Sequence, residues 1–99
     1  MPILRFTRLA ERDLAGIAAY TLRTWGAPQT MEYLDEMEAC CRRLAENPLL
    51  GRGCEDIRAG LRRMEVGSHV LFYRKLPEGV LVVRILHQRM LPERPRLES

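Results

Sequence analysis

The chain has 99 residues, 46% of them hydrophobic and 29% charged, with a formal net charge of +3. This length holds one small domain and no second core, and the composition excludes a disordered chain. No apolar run exceeds four residues, as in Val80 to Val83, far short of the ~20 residues that a membrane helix needs.

The basic residues are unusual in kind and in placement. Of 16, only Lys75 is a lysine. Arginine makes planar, bidentate contacts with carboxylates and phosphates, so the bias reads equally as recognition chemistry or as codon usage. Residues 1–51 carry six arginines against seven acids, and residues 52–99 carry ten basic residues against six acids. The C-terminal half is therefore where an acidic partner would be steered, weakly and with salt screening. The start, MPILRFTRL, lacks the apolar core of a signal peptide, so a soluble, cytoplasmic protein is expected. Cys40 and Cys41 are adjacent and Cys54 stands alone. That spacing fits neither zinc nor a redox pair, and buried thiols in a reducing compartment are expected.

In chain order, a short strand is predicted at about residues 2–6, ending at Thr7, a helix-capping residue type. Ala10, Leu14, Ile17, Ala18, Thr21 and Trp25 then recur at helical steps and predict a helix over 8–25. Gly26 ends it and Pro28 opens a second helix over 28–46, with Met31, Leu34, Met37, Cys41 and Leu44 on one face. So short a link makes the two helices an antiparallel hairpin. Gly51-Arg52-Gly53 reads as a flexible stretch. After it, strands are predicted at about 61–66, 69–76 and 80–87, joined by the turns Gly67-Ser68 and Pro77-Glu78-Gly79. Pro92 and Pro95 discourage a regular ending in the tail 90–99. The fold class is α+β: a two-layer sandwich of one domain, 1–99. Its helical hairpin packs on an antiparallel sheet that a C-terminal three-strand meander completes. Strand order is left open.

Few residues suggest chemistry. There is no evident nucleophile–base–orienter set, carboxylate pair or metal cluster. His69 and His87 fall on different predicted strands and could meet across the sheet, but no third ligand stands at a suitable spacing. No metal site and no cofactor are expected. Asp13 with Arg12, and Glu36 with Arg43, read as solvated helix pairs. Arg62, Arg63, Arg84, His87 and Arg89 fall on strands or at a strand end, where side chains can converge on one sheet face. Such a group could hold phosphates or an acidic peptide, with His87 as acid or base. An edge of ordinary solvated charges is the other reading, and spacing alone favours it.

The stretches Ala10-Glu11-Arg12-Asp13-Leu14 with Ile17 and Tyr20, Trp25-Gly26, and Leu44 to Gly51 follow one another in a familiar order. Ile57-Arg58, Gly60-Leu61-Arg62-Arg63, Gly67 to Arg74 and Val83 to Met90 complete it. Together, over about residues 5–90, the chain resembles the ParE toxins of bacterial type II toxin–antitoxin pairs, within the wider RelE/ParE superfamily. The resemblance implies the same sandwich fold and a growth-arresting, plasmid-stabilising toxin that poisons DNA gyrase at its cleaved-DNA stage without catalysis of its own. It also implies neutralisation in a hetero-oligomer with a ParD-like antitoxin, whose amphipathic C-terminal segment lies along the toxin. Neither membrane association nor sequence-specific nucleic-acid binding follows from it. On this reading Trp25, Arg62, Arg63 and Arg74 are the expected antitoxin contacts, although Trp25 reads equally as a core plug. Arg84, His87, Arg89, Arg94 and Arg96 are the expected target contacts. The alternative is a RelE-like, ribosome-dependent mRNA endonuclease working through Arg63, Arg84 and His87. The absence of tyrosine, histidine and lysine after Arg89 departs from that pattern.

Overall fold

Five strands line up in the order β1-β5-β4-β3-β2, so the first strand of the chain lies beside the last. The computed structural model describes residues 2–91. Its elements are β1 (Ile3–Phe6), α1 (Arg8–Trp25), α2 (Ala27–Glu46), β2 (Arg52–Gly53), β3 (Leu61–Val66), β4 (His69–Leu76) and β5 (Gly79–His87), followed by a short 3-10 turn, Gln88–Met90. The sheet is mixed, which corrects the expectation of a purely antiparallel one. β1 pairs parallel with β5, Leu4 opposite Val80, and every other pairing is antiparallel. The cause is the route of the chain. The helical hairpin carries it to the far edge, and three alternating strands return it to β1 pointing the same way. The stretch expected to be flexible supplies that far edge, because Arg52 and Gly53 pair with Arg63 and Arg62.

Thr7 fastens the helical layer to the sheet. Its side-chain oxygen accepts from the Ala10 amide at 3.0 Å and its hydroxyl donates to the Val83 carbonyl at 2.8 Å. One residue therefore caps α1 and pins its start to β5. Gly26 is the whole link between the helices. The two stripes meet the sheet along most of their length, but not at the corner: Trp25 is 63% and Met31 64% exposed. Trp25 is not a core plug.

Two apolar clusters occupy the two sheet faces. Under the helices lie Ile17, Met37, Leu44, Leu71, Tyr73 and Val82, with Leu4, Phe6 and Leu14 packed at the margin. On the other face Cys54, Leu61, Val70, Phe72 and Val83 are buried, and Ile57 from the loop between β2 and β3 packs on them. Burial on both faces explains why the middle of β5 reads as a continuous apolar run.

The strict alternation of β5 breaks once. Phe72 pairs with Arg84 while Tyr73 pairs with Val82, so Val83 is an extra residue in β5. Such a bulge bends the strand and re-aims the next side chain.

Candidate functional site

Arg84 is the side chain redirected by the bulge. Its Nε and Nη2 donate to the two carboxylate oxygens of Asp13 on α1, at 2.7 and 3.0 Å. Asp13 Oδ2 also accepts from the Ile85 amide at 2.9 Å, just beyond the irregular pairing. Both side chains are nearly enclosed, 14% exposed for Asp13 and 15% for Arg84. The partner expected for Asp13, Arg12, is replaced by a residue on the sheet. Position explains this: Asp13 lies three residues after buried Ala10 and so faces inward. The second expected helix pair also differs, since Arg42 bonds Glu38 at 3.2 Å.

A second constellation lies where β4 begins and β5 ends. His69 and His87 are register partners, with ring centroids 5.2 Å apart and planes nearly perpendicular. Tyr33 of α2 completes the group. Its Oη lies 2.6 Å from His69 Nδ1 and donates to the Val66 carbonyl at 3.0 Å. With the phenol proton on Val66, the Nδ1–H of His69 donates to Tyr33, an arrangement that satisfies all three groups. His87 Nδ1 accepts from the Arg89 amide at 3.1 Å. Burial, and then the neighbouring His87, pushes the pKa of His69 below its ordinary value. Gly67 makes the approach of Tyr33 feasible. Its φ is +57°, as the turn requires, and a Cβ there would sit 2.6 Å from the Tyr33 ring.

The arginines expected to converge do not form one group: Arg63 and Arg84 share a register row through Phe72, but each is engaged by a different carboxylate, and Arg62 faces the other way. Arg62 turns towards the loop after α2, donating to the carbonyls of Leu49 and Gly51, and so holds that loop in place. Arg63 lies on the other face, 5.6 Å from the centre of Phe72 and paired with Glu65 at 3.2 Å. Arg74 is exposed on that same face, since it pairs with Leu61 and Leu81 of the second cluster. His87 is turned towards His69, and Arg89 is exposed. Arg94 and Arg96 lie outside the described residues. Sequence reasoning missed Tyr33 and the inward role of Asp13, yet both carried a signal. Tyr33 stands at helical steps from Thr30, Met37 and Cys40, all of which are buried.

Two accessible apolar features remain. A groove of about 410 Å³ opens beside β1, with Leu4, Phe6, Leu34 and Met37 on its walls and the Glu38–Arg42 pair at its rim. Around the hairpin corner Leu22, Trp25 and Met31 are exposed together. Buried thiols complete the inventory: Cys40, Cys41 and Cys54 are free and buried. Desolvation, reinforced by Cys40 and Glu38, pushes Cys41 up to about 12.

A family model described as the ParE toxin of the type II toxin–antitoxin system, parDE, matches residues 4–92. The chain belongs to the ParE toxin family. It is 46% identical over 82 residues to a Toxin ParE1 of Mycobacterium tuberculosis, covering 82% of this chain and 84% of that relative. It is 42% identical over 86 residues to Toxin ParE1 of Caulobacter vibrioides, covering 87% and 88%. To Toxin ParE of Escherichia coli it is 38% identical over 85 residues, covering 85% and 82%. The ParE fold is matched by a solved chain titled as a chromosomal ParDE toxin–antitoxin system from P. aeruginosa. That match has a TM-score of 0.72 at 20% identity and covers 88% of this chain and 96% of that one. Among the described residues no ParE helix is long and apolar enough to cross a membrane.

Proposed function

We propose that this ParE arrests growth in the cytoplasm by binding and inhibiting DNA gyrase, and that a ParD-like antitoxin neutralises it. The observation that carries the choice between poison and nuclease is the engagement of Arg84 by Asp13. A phosphate-cleaving centre needs Arg63, Arg84 and His87 aimed at one phosphate. Here Arg84, although in one register row with Phe72 and Arg63, is bound to Asp13 of α1, Arg63 is paired with Glu65 beside Phe72, and His87 faces His69. With each of the three groups engaged by a neighbour within the fold, the arrangement supports a toxin acting through its surface.

For the target, the reading assigns His87 and Arg89, together with Arg94 and Arg96 of the tail, while Arg84 acts by holding β5 against α1. For the antitoxin it assigns Trp25, Arg63 and Arg74 as direct contacts, with Arg62 shaping the loop after α2. The apolar groove beside β1 supports this, because an amphipathic helix needs such a trough for its apolar face.

The test mixes purified gyrase, plasmid, ATP and this protein. Accumulation of cleaved DNA is expected. Unchanged supercoiling and cleavage at a large excess of folded toxin would reject the gyrase reading. Cut mRNA in a translating extract, lost in the Arg84→Ala and His87→Ala variants, would replace it with the endonuclease.

A further inference from the structure

On the sheet face away from the helices, Arg5, Leu81 and Arg74 form one register row across β1, β5 and β4. The assignment to that face follows from alternation. Leu4 and Phe6 pack under the helices, so Arg5 between them points the other way, and Leu81 belongs to the second cluster. Both arginines are exposed, and neither makes an ion pair or side-chain hydrogen bond among the described residues. Across one intervening strand their Cα atoms are about 10 Å apart.

The adjoining row is Ile3, Gly79 and Leu76. It is bare at its centre. A Cβ on Gly79 would run into the Ile3 backbone, so the position stays open. Ile3, Leu76 and Leu81 are all partly accessible around that notch. The result is an apolar seat with an exposed guanidinium on either side.

The geometry points to this row as a docking site for an extended acidic segment of a partner protein, with one apolar residue between two carboxylates. An extended Glu-x-apolar-x-Glu segment puts its carboxylate-bearing residues about 13 Å apart on one face, with the apolar residue midway. Two arginine arms reach both ends of that span and form charge-assisted bonds there. A single-stranded nucleic acid fits less well, since such sites stack bases on exposed aromatic rings. The aromatic ring on this face, Phe72, is buried. The inference deepens the antitoxin reading, in which Arg74 already figures, by naming the chemistry of the segment that Arg74 meets.

The experiment uses the full chain and a fluorescein-labelled peptide of repeated Glu-Ser-Val-Ser, which places a valine between two glutamates on one face of an extended chain, with an oligothymidylate of equal length in parallel. Wild type binds the peptide in a salt-sensitive way, and the double variant Arg5→Glu/Arg74→Glu loses at least ~10-fold in affinity. Arg12→Glu, an exposed charge reversal on α1, leaves binding unchanged, and circular dichroism checks that both variants are folded. Equal peptide binding by wild type and the folded double variant overturns the site, as does tighter binding of the oligothymidylate. Co-expression with a ParD-like antitoxin separates the two readings. An antitoxin that co-purifies equally with wild type and the double variant refutes the docking row and leaves the antitoxin reading standing. Peptide binding to wild type without any co-purification supports the row and refutes the antitoxin reading.

Discussion

Asp13 and Arg84, 71 positions apart in the chain, are joined by two charge-assisted hydrogen bonds between α1 and the bulged part of β5. The same carboxylate takes the Ile85 amide, so it serves both the guanidinium and the backbone at the irregularity. Removing it takes this acceptor from three N–H groups, two of the guanidinium and that of Ile85, in a nearly enclosed place. Asp13→Ala is expected to cost about 2–4 kcal/mol, and Arg84→Ala less because the carboxylate keeps the Ile85 amide. A double-mutant cycle on urea midpoints is expected to give a coupling of about 1–3 kcal/mol. A coupling near zero would mean that the pair adds nothing beyond solvated charges.

The His69 contact sets a pH dependence. Its folded pKa is lowered from 6.5, first by burial and then by His87. The unfolded chain therefore binds more protons in the window between the folded pKa and 6.5, and stability rises with pH there. Above 6.5 the histidine is neutral in both states and costs nothing. As pH falls through the window, wild type loses stability that His69→Gln retains. Urea titrations of both proteins across the window measure the difference, and parallel curves would contradict it.

Depth within the helical layer predicts the cost of truncation. Leu44 is 0% exposed, and Leu44→Ala is expected to cost about 3–4 kcal/mol. Leu34 belongs to the same stripe but lines the groove beside β1. Leu34→Ala is expected to cost only about 1–2 kcal/mol, since less area leaves water on folding. Denaturant midpoints at constant slope rank the two; the reverse order would place the groove wall inside the core.

The cysteines should resist modification in the folded state. With Cys41 pushed up to about 12, its thiolate fraction near about pH 8 is on the order of one in ten thousand. Cys40 and Cys54 are also raised, mainly by burial. A colourless aromatic disulfide reagent is expected to report almost no thiol in native buffer and all three in concentrated guanidinium chloride. Rapid native labelling of one thiol would show that its cover opens locally.

Much of this architecture was legible in the chain because its signals are local. Thr7, Gly26 and the helical steps of Ile17, Met37 and Leu44 need no distant information. Gly67-Ser68 declares its hairpin because its first position must take a positive φ. β1 and β2 carry weaker signals. A four-residue and a two-residue strand exist through pairing with remote segments, so the parallel alignment of β1 and the edge at Arg52 could not be read locally. The arginines misled for the same reason. Arg62 and Arg63 are neighbours in sequence, but alternation sends one to the Gly51 carbonyl and the other to Phe72. The inserted Val83 then shifts Arg84 off the face that a regular strand would have given it.

The parallel pairing of β1 with β5 has a consequence for synthesis. The first strand made has its single sheet neighbour in the last one, and Thr7 waits 76 positions for the Val83 carbonyl that anchors it. A growing or broken chain that stops before Val80 lacks that neighbour, and both apolar clusters lack their β5 members. Such fragments have helices but no closed sheet on which to seat them. Loss of β5 would thus open the sheet between β1 and β4 and strip both clusters at once, rather than trim an edge.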